Sequence, residues 1–500
     1  MRLLLPKASY FNLKPLWLFP LLIIILCLLL LVSSPDNPFE FSVAISAFFA
    51  SVSCMLCLMT AGYRINSFMS ILVLAYMMYY PIPAVLNLIL PEPAISQDLW
   101  TGTPIAMWAC TLGCTAMAAG AALFQTLYSK RRDQSSQSFF NPPPVLLNVA
   151  FFLFLLPAVI LRFNLGMYDA RFDPDILSLI ERTGQYNNIL GYLSRFSQMG
   201  MLLQLYRAIT TRSWKDFTLF GLMASVSVLV FLPTGSRMAA YGWVPWFLLF
   251  YLTLERKIWR AGLVFLCLLS LFTFTTALVQ VYRNIDQLNR SFSDRLETIS
   301  EIALGERVDA SGKSSLEIVV SRLSDFAFAG RILQDTPSII PFRESEGLDE
   351  LYTMMIPKVF VHERPSLQLW DASMDTYGVT RTFQGGGSAP PMFIGDLYSR
   401  WGWSGIVGGM FILGIVLAAL SALTLQGWTV TSVCFYALYV QYSASLVSAG
   451  LFTATVLLSR ELFINWAISV GIGLVCAHFF SRKSSPRRVP GFFVDEFKRI

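Results

Sequence analysis

About twelve apolar stretches, each near twenty residues long and almost free of charge, constrain this chain more than any other feature. They lie near 16–33, 41–62, 68–90, 104–127, 144–162, 188–208, 216–233, 238–254, 261–282, 403–425, 429–449 and 462–480. A bilayer core about 30 Å thick is crossed by roughly 20 helical residues. Within it every backbone N–H and C=O must be bonded internally, so stretches of this kind form helices. The composition agrees: 55% of residues are hydrophobic and only 14% charged, with a mean hydropathy of +0.58. Soluble chains carry about 25% charged residues, so a soluble globular protein is excluded. The predicted fold is an all-α polytopic membrane protein of about twelve transmembrane helices.

Local details refine the map. The first stretch runs into Leu30, Leu31, Val32, Ser33, Ser34 and Pro35 with no small-residue cleavage site. It reads as a retained span rather than a removed signal peptide. Pro81 and Pro83 fall inside the third stretch and predict a kink or a broken helix there. Residues 450–461 are apolar until Arg460 and Glu461 and belong to none of the twelve. All eight cysteines sit in apolar stretches. Cys54 and Cys57 form a C-x-x-C, but no second pair and no His lies near it in sequence, which argues against a metal or redox role.

Lys and Arg set the orientation. Arg2, Lys7 and Lys14 precede the first span. Arg64, the run Lys130-Arg131-Arg132, Arg207 with Arg212 and Lys215, and Arg256 with Lys257 and Arg260 then recur after every second span. The tail adds Arg482, Lys483, Arg487 and Arg488. With twelve spans all of these share one side, which the positive-inside rule makes the cytoplasm, together with both termini. The predicted organisation is helices 1–9 over 1–282, a large extracytoplasmic loop over 283–402, helices 10–12 over 403–480, and a cytoplasmic tail over 481–500.

The large loop holds 12 basic and 17 acidic residues, 29 of the 68 charged residues of the chain, for a net charge of −5. The whole chain is +6, so the remainder is +11. That balance calls for no nucleic-acid partner. Loops beyond about 15 residues usually have a job, and this one, with the smaller loop 163–187, places the chemistry outside the cytoplasm. The loop has no cysteine and must fold without disulfides. Apolar residues from Ser314 to Leu333 recur at helical spacing, predicting a helix against the membrane surface or the bundle. Next, Pro357 and Pro365 bracket Lys358-Val359-Phe360-Val361-His362-Glu363-Arg364. Gly385, Gly386 and Gly387 then form a turn whose amides are able to approach an anion, or which is simply flexible. Finally Gly395-Asp396-Leu397-Tyr398-Ser399-Arg400-Trp401-Gly402-Trp403 leads into a span, with aromatic residues suited to the bilayer interface.

The order of these segments resembles the Wzy-type oligosaccharide repeat-unit polymerases, which make O-antigen and related exopolysaccharides. The shared elements are the proline-bracketed basic stretch, the Gly/Ser/Pro-rich turn, and G-[DE]-x-Y-x-x-[FW]-G-x-x-G, here Gly395, Asp396, Tyr398, Trp401, Gly402 and Gly405. Thr234-Gly235-Ser236-Arg237 at an outer span end is similar to the family's Gly-Ser-Arg element. Asp396 stands where Glu is commoner, and Arg400 with Trp401 where Asn-Phe is more usual. The resemblance implies a GT-C-like enzyme of the bacterial cytoplasmic membrane. It would transfer a growing glycan from undecaprenyl pyrophosphate to a sugar hydroxyl of an incoming lipid-linked repeat unit, with no metal and no other cofactor. Its partners would be lipid-linked oligosaccharides, membrane lipids and a chain-length-determining co-polymerase.

Residue chemistry nominates the participants. A pyrophosphate leaving group needs fixed positive charge, and arginine supplies a bidentate fork that stays protonated. Arg237, Arg364, Arg381 and Arg400 are the first candidates, with Arg283 and Lys358 behind them. Arg195, seven residues into the sixth span, joins them because an intramembrane charge must face a cavity or a partner. A general base for the acceptor hydroxyl would come from His362, Glu363, Asp371 or Asp396, with Glu363 and Asp396 favoured. Tyr398 and His362 are candidate glycan contacts. Each has a plainer reading. Arg237 can anchor a span end, Arg364 and Arg381 can sit in loop salt bridges, and Asp396 with Arg400 can be an i,i+4 pair worth a few tenths of a kcal/mol. Arg460 and Glu461 read as a pair closing the bundle.

Other classes fit some of these features. A lipid-linked-glycan flippase or transporter suits twelve spans, although the halves show no repeat. An O-antigen ligase differs only in acceptor. A lipid-phosphate-sugar-dependent glycosyltransferase usually carries an early acidic motif, for which residues 34–40 offer only Asp36 and Glu40. No P-loop and no nucleotide-binding glycine motif is present.

Overall fold

The computed structural model describes residues 18–33, 37–61, 67–128, 144–164, 193–194, 196–209, 211–234, 292–304, 315–356, 376–377, 391–424 and 445–464, with single positions between 244 and 282 and between 435 and 471. Among the described residues the regular structure is helical and contains no strand. Among these residues six helical segments are long and apolar enough to cross a membrane: Pro38–Thr60, Phe68–Ile89, Gln97–Tyr128, Trp214–Phe231, Phe393–Ala422 and Leu451–Gly471. Pro20–Val32 and Phe151–Leu161 are shorter apolar helices. The chain is a helical membrane protein. The stretches near 238–254, 261–282 and 429–449 lie largely outside the described residues.

The first helices are α1 (Leu18–Ser33), α2 (Pro38–Thr60), α3 (Phe68–Tyr79), α4 (Pro81–Ile89), the short α5 (Gln97–Trp100) and α6 (Thr103–Tyr128). Asn37 caps α2 by accepting from the N–H groups of Phe39 and Glu40, with Pro38 opening the helix. The predicted break at Pro81 is present. Tyr80 leaves the helical region at φ −120°, ψ −84°, and α3 and α4 meet there. Leu22, Leu29, Val32 and Leu56 point outward from α1 and α2, as apolar side chains facing lipid do.

The helices α7 (Pro144–Asn164) and α8 (Trp214–Phe231) follow, and the large loop then contributes α9 (Phe292–Ala303), α10 (Ser315–Leu323), α11 (Phe326–Asp335) and α12 (Leu351–Met355). The helix expected over 314–333 is two helices, broken at Ser324–Asp325. Of the two placements open to it, the bundle is the one adopted. Phe326, Ala327, Phe328, Ala329, Ile332 and Leu333 are all buried. A Cβ on Gly330 would collide with the backbone of Gly102, so the absence of side chains lets α11 sit against the start of α6. Asn87 at the end of α4 donates to Ser324 Oγ at 3.0 Å, tying the same break to the bundle.

Two further helices complete the described part. α13 (Phe393–Thr424) begins ten residues before the span expected at 403, and it is interrupted at Trp401 and Gly402. α14 (Leu451–Val456) passes into a π-helical turn, Leu457–Glu461, and the span continues to Gly471. Residues 450–461, unassigned from sequence, are thus the start of the last described span. The charges that interrupt its hydropathy neutralise one another: Arg460 Nη2 lies 3.0 Å from Glu461 Oε1, and Glu461 is buried. α6 and α13 cross through glycines. A Cβ on Gly120 would overlap the carbonyl of Phe411, and one on Gly414 the carbonyl of Met117.

Candidate functional site

The break in α13 organises a buried polar cluster. Trp401 (φ −134°, ψ 16°) and Gly402 (φ 60°, ψ −147°) end the helical run after Arg400. Such a break deprives the preceding carbonyls of their helical donors, and buried carbonyls need replacements. The segment after α11 supplies them. The Arg343 N–H donates to Ser399 O at 2.9 Å and the Glu344 N–H to Arg400 O at 3.2 Å. The turn that does this is tight, with Glu344 at φ 43° and Gly347 at φ 72°. Phe342 lies over Gly402, where a Cβ would press on its ring.

Asp396 and Arg400, one helical turn apart, stand at the centre, and both side chains are fully buried. Arg400 Nε is 3.5 Å from Asp396 Oδ2, and Arg400 Nη1 donates to Glu346 O at 2.8 Å. The guanidinium also lies 4.9 Å above the Phe452 ring of α14. Asp396 Oδ2 accepts from the Leu451 N–H at 2.7 Å, so a carboxylate of α13 caps the first turn of α14. A negative charge at a helix N-terminus is favourably placed. On its other oxygen Arg343 Nη1 approaches to 3.6 Å, while Arg343 Nε bonds Glu346 Oε2 at 2.8 Å. Asp396 and Arg400 therefore pair at the buried centre, and Arg343 with the half-exposed Glu346 balances the formal charge at its edge.

Aromatic and hydroxyl groups enclose the cluster. Tyr398 packs edge-on to Trp403 at 5.2 Å and to Phe342 at 6.2 Å. The Tyr377 and Thr336 hydroxyls are 3.0 Å apart and buried. Burial holds the Tyr377 hydroxyl above the usual phenol range, with the Thr336 hydrogen bond and then Arg343 pulling down and Asp396 and Asp335 pushing up. Arg331 Nε pairs with Asp335 Oδ2 at 2.7 Å nearby on α11.

Of the residues expected to form a site, Asp396, Tyr398 and Arg400 come together here. Asp396 and Arg400 are enclosed and turned toward α14 and the 343–347 turn, so neither presents surface to a substrate in this arrangement. Arg195, Arg237, Arg283, Lys358, His362, Glu363, Arg364, Asp371 and Arg381 lie outside the described residues, as does the Gly385–Gly387 turn. One contact bears on two of their neighbours. Tyr282, just before Arg283, donates to the carbonyl of Pro233, just before the Thr234–Arg237 motif, at 2.8 Å. Arg343 and Tyr377 were not singled out from sequence. Arg343 follows Pro341-Phe342 in an acidic run and has the look of a solvated charge, and only the fold brings it to Asp396.

These features define a helical membrane protein with a buried carboxylate–guanidinium cluster at a broken helix. A family described as "Domain of unknown function (DUF8712)" matches residues 167–454, and the chain belongs to it. No curated protein and no solved structure matches the sequence.

Proposed function

We propose that the chain is a lipid-linked oligosaccharide polymerase of the bacterial cytoplasmic membrane, with twelve spans in a GT-C-like arrangement. The observation that carries this reading is the ordered set of motifs that resembles the Wzy-type polymerases. Its last element, Gly395 to Gly405, coincides with a helix break whose charged residues are held in one cluster. In this reading the break fixes the end of the large loop against the bundle. Asp396 and Arg400 position it. The pyrophosphate of the donor is met by arginines that the loop and span ends present, Arg237, Arg364 and Arg381 first. Glu363 is the candidate base for the acceptor hydroxyl, and its proton would leave with the base as the glycosyl bond to pyrophosphate breaks.

The test is deletion of the gene in its host, complemented with wild type, Arg237→Ala and Arg364→Ala at matched membrane levels. Surface glycan is run on a gel and lipid-linked intermediates are extracted. A polymerase leaves single ligated repeat units with no ladder, and the two variants fail to restore it. Full-length polymer stranded on its lipid carrier instead identifies a ligase and sinks the reading.

A second reading has one observation behind it. Apolar helices interrupted along their length, as at Tyr80 and at Trp401–Gly402, are a device of transporters. Repeat units trapped on the cytoplasmic leaflet in the deletion strain would make the chain a flippase.

A further inference from the structure

The C-x-x-C of α2 has its second pair after all, sixty residues away on α6. Cys54 Sγ lies 3.8 Å from Cys114 Sγ, and Cys110 Sγ lies 4.0 Å from the same atom. The three sulfurs are within 4.8 Å of one another and all are fully buried. The fourth cysteine, Cys57, is engaged elsewhere. Its Sγ donates to the backbone carbonyl of Cys114 at 2.8 Å and pins that turn of α6 to α2. Helical spacing explains the convergence. Cys110 and Cys114 are one turn apart on a single face of α6, and Cys54 faces them from α2.

We propose that Cys54, Cys110 and Cys114 bind a soft, three-coordinate cation of the Cu(I) type between α2 and α6. A trigonal site with metal–sulfur bonds of about 2.3 Å has sulfur–sulfur edges of about 4.0 Å. Two observed edges, 3.8 and 4.0 Å, match that triangle, and the third, between Cys54 and Cys110, lies within 4.8 Å. The donor set selects the class of metal. Thiolates favour Cu(I) and other soft ions, whereas calcium and magnesium need oxygen ligands. Three sulfurs suit an ion content with three ligands better than zinc, which takes four in structural sites. Each sulfur that binds as thiolate releases one proton, and the low-dielectric surroundings favour the fewest thiolates. Close helix packing alone gives no reason for three sulfurs to converge, because small side chains suffice for it. The same two helices bury Ala47, Ala50, Ala106 and Ala109. The inference is independent of the polymerase reading.

The experiment uses the full-length protein, reduced and held without oxygen in lipid nanodiscs. It is titrated with Cu(I) supplied as its bathocuproine disulfonate complex, and the metal retained is examined by X-ray absorption. The expected result is one copper per chain in an all-sulfur shell, with about one to three protons released on loading, one per thiolate formed. Cys54→Ser, Cys110→Ser and Cys114→Ser should each weaken binding at least about tenfold, the lower end of what losing even an outer partner of a metal ligand costs. Cys267→Ser, at an exposed cysteine outside the cluster, should leave it unchanged. A triple Cys→Ala variant with wild-type thermal stability serves as the blank. Copper uptake no greater than that blank overturns the proposal. So does one tightly held zinc with no copper uptake, or a disulfide within the cluster in protein isolated without reductant.

Discussion

At the residue scale the cluster around Asp396 is a problem of buried charge. Its carboxylate holds the Leu451 N–H and faces two guanidinium groups with no exposure of its own. Removing one member of a buried pair costs far more than the pair contributes, about 3–5 kcal/mol, because the survivor is left uncompensated. Arg400→Ala and Asp396→Ala are each expected to lose stability on that scale, read as a lower denaturation midpoint in mixed micelles. Variants within about 0.5 kcal/mol of wild type, the range of surface substitutions, would mean the cluster is solvated and the account wrong. Tyr377 gives a pH-dependent counterpart. Its folded-state value lies above the free phenol's value of about 10, so the protonated hydroxyl favours the fold below that pH. That contribution is lost as pH rises through the folded value. Tyr377→Phe should therefore be less stable than wild type by about 1 kcal/mol at pH 8, through its lost bond to Thr336. The gap should close or reverse above about pH 10. A pH-independent gap in thermal scans would refute this. Asp396 and Arg400 were legible in sequence as an i,i+4 pair, but Arg343 was not, because its charge is fifty-three positions away with no periodicity linking them.

Elements of this protein are defined as much by where helices break as by where they run. The break at Tyr80 was legible because Pro81 and Pro83 remove donors whatever the tertiary context. The break at Gly402 was not, since a glycine in a glycine-rich span reads equally as a packing residue. Its conformation decides the matter: φ 60°, ψ −147° is close to a region that only glycine enters freely. Gly402→Ala is expected to cost about 1–3 kcal/mol and to press on Phe342 as well. Gly414 makes a different demand, for contact rather than conformation. Its Cβ would overlap the carbonyl of Met117 across the α6–α13 crossing. Gly414→Leu should force those helices apart and lower thermal stability by more than Gly408→Leu, whose position has open space around it. Equal effects of the two substitutions would mean that α6 and α13 do not meet there.

For the whole molecule the question is which side each end of the bundle faces, and two sets of contacts bear on it. Near one end, the Phe68 N–H at the start of α3 donates to Ser421 Oγ near the end of α13. At the other, Asn87 of α4 meets Ser324 of the large loop, and Gly102 meets Gly330. Arg64 precedes Phe68, so on the proposed topology the positive-inside rule would put the first end in the cytoplasm and the large loop outside. The bond from Leu451 to Asp396 adds a parity argument. It places the start of α14 level with the start of α13, on the loop side, so a chain leaving α13 on the far side must return across once before residue 451. The apolar stretch 429–449 is the segment expected to do so, and on the proposed topology the span begun by α14 would return the chain to the cytoplasm. Hydropathy and charge predict the same parity without any contact, because an apolar run and a basic loop are each read from local sequence. Side-chain clusters such as Cys54 with Cys110 and Cys114 depend on helix rotation, and a single sequence does not encode that visibly. Reporter fusions test the parity. Alkaline phosphatase inserted at 310 should be active, and fused after 133, 258 or 490 it should be inactive while a fluorescent protein at those sites glows. An active phosphatase at 490 together with one at 310 would require an even number of crossings after the loop, and would break both the parity argument and the twelve-span map.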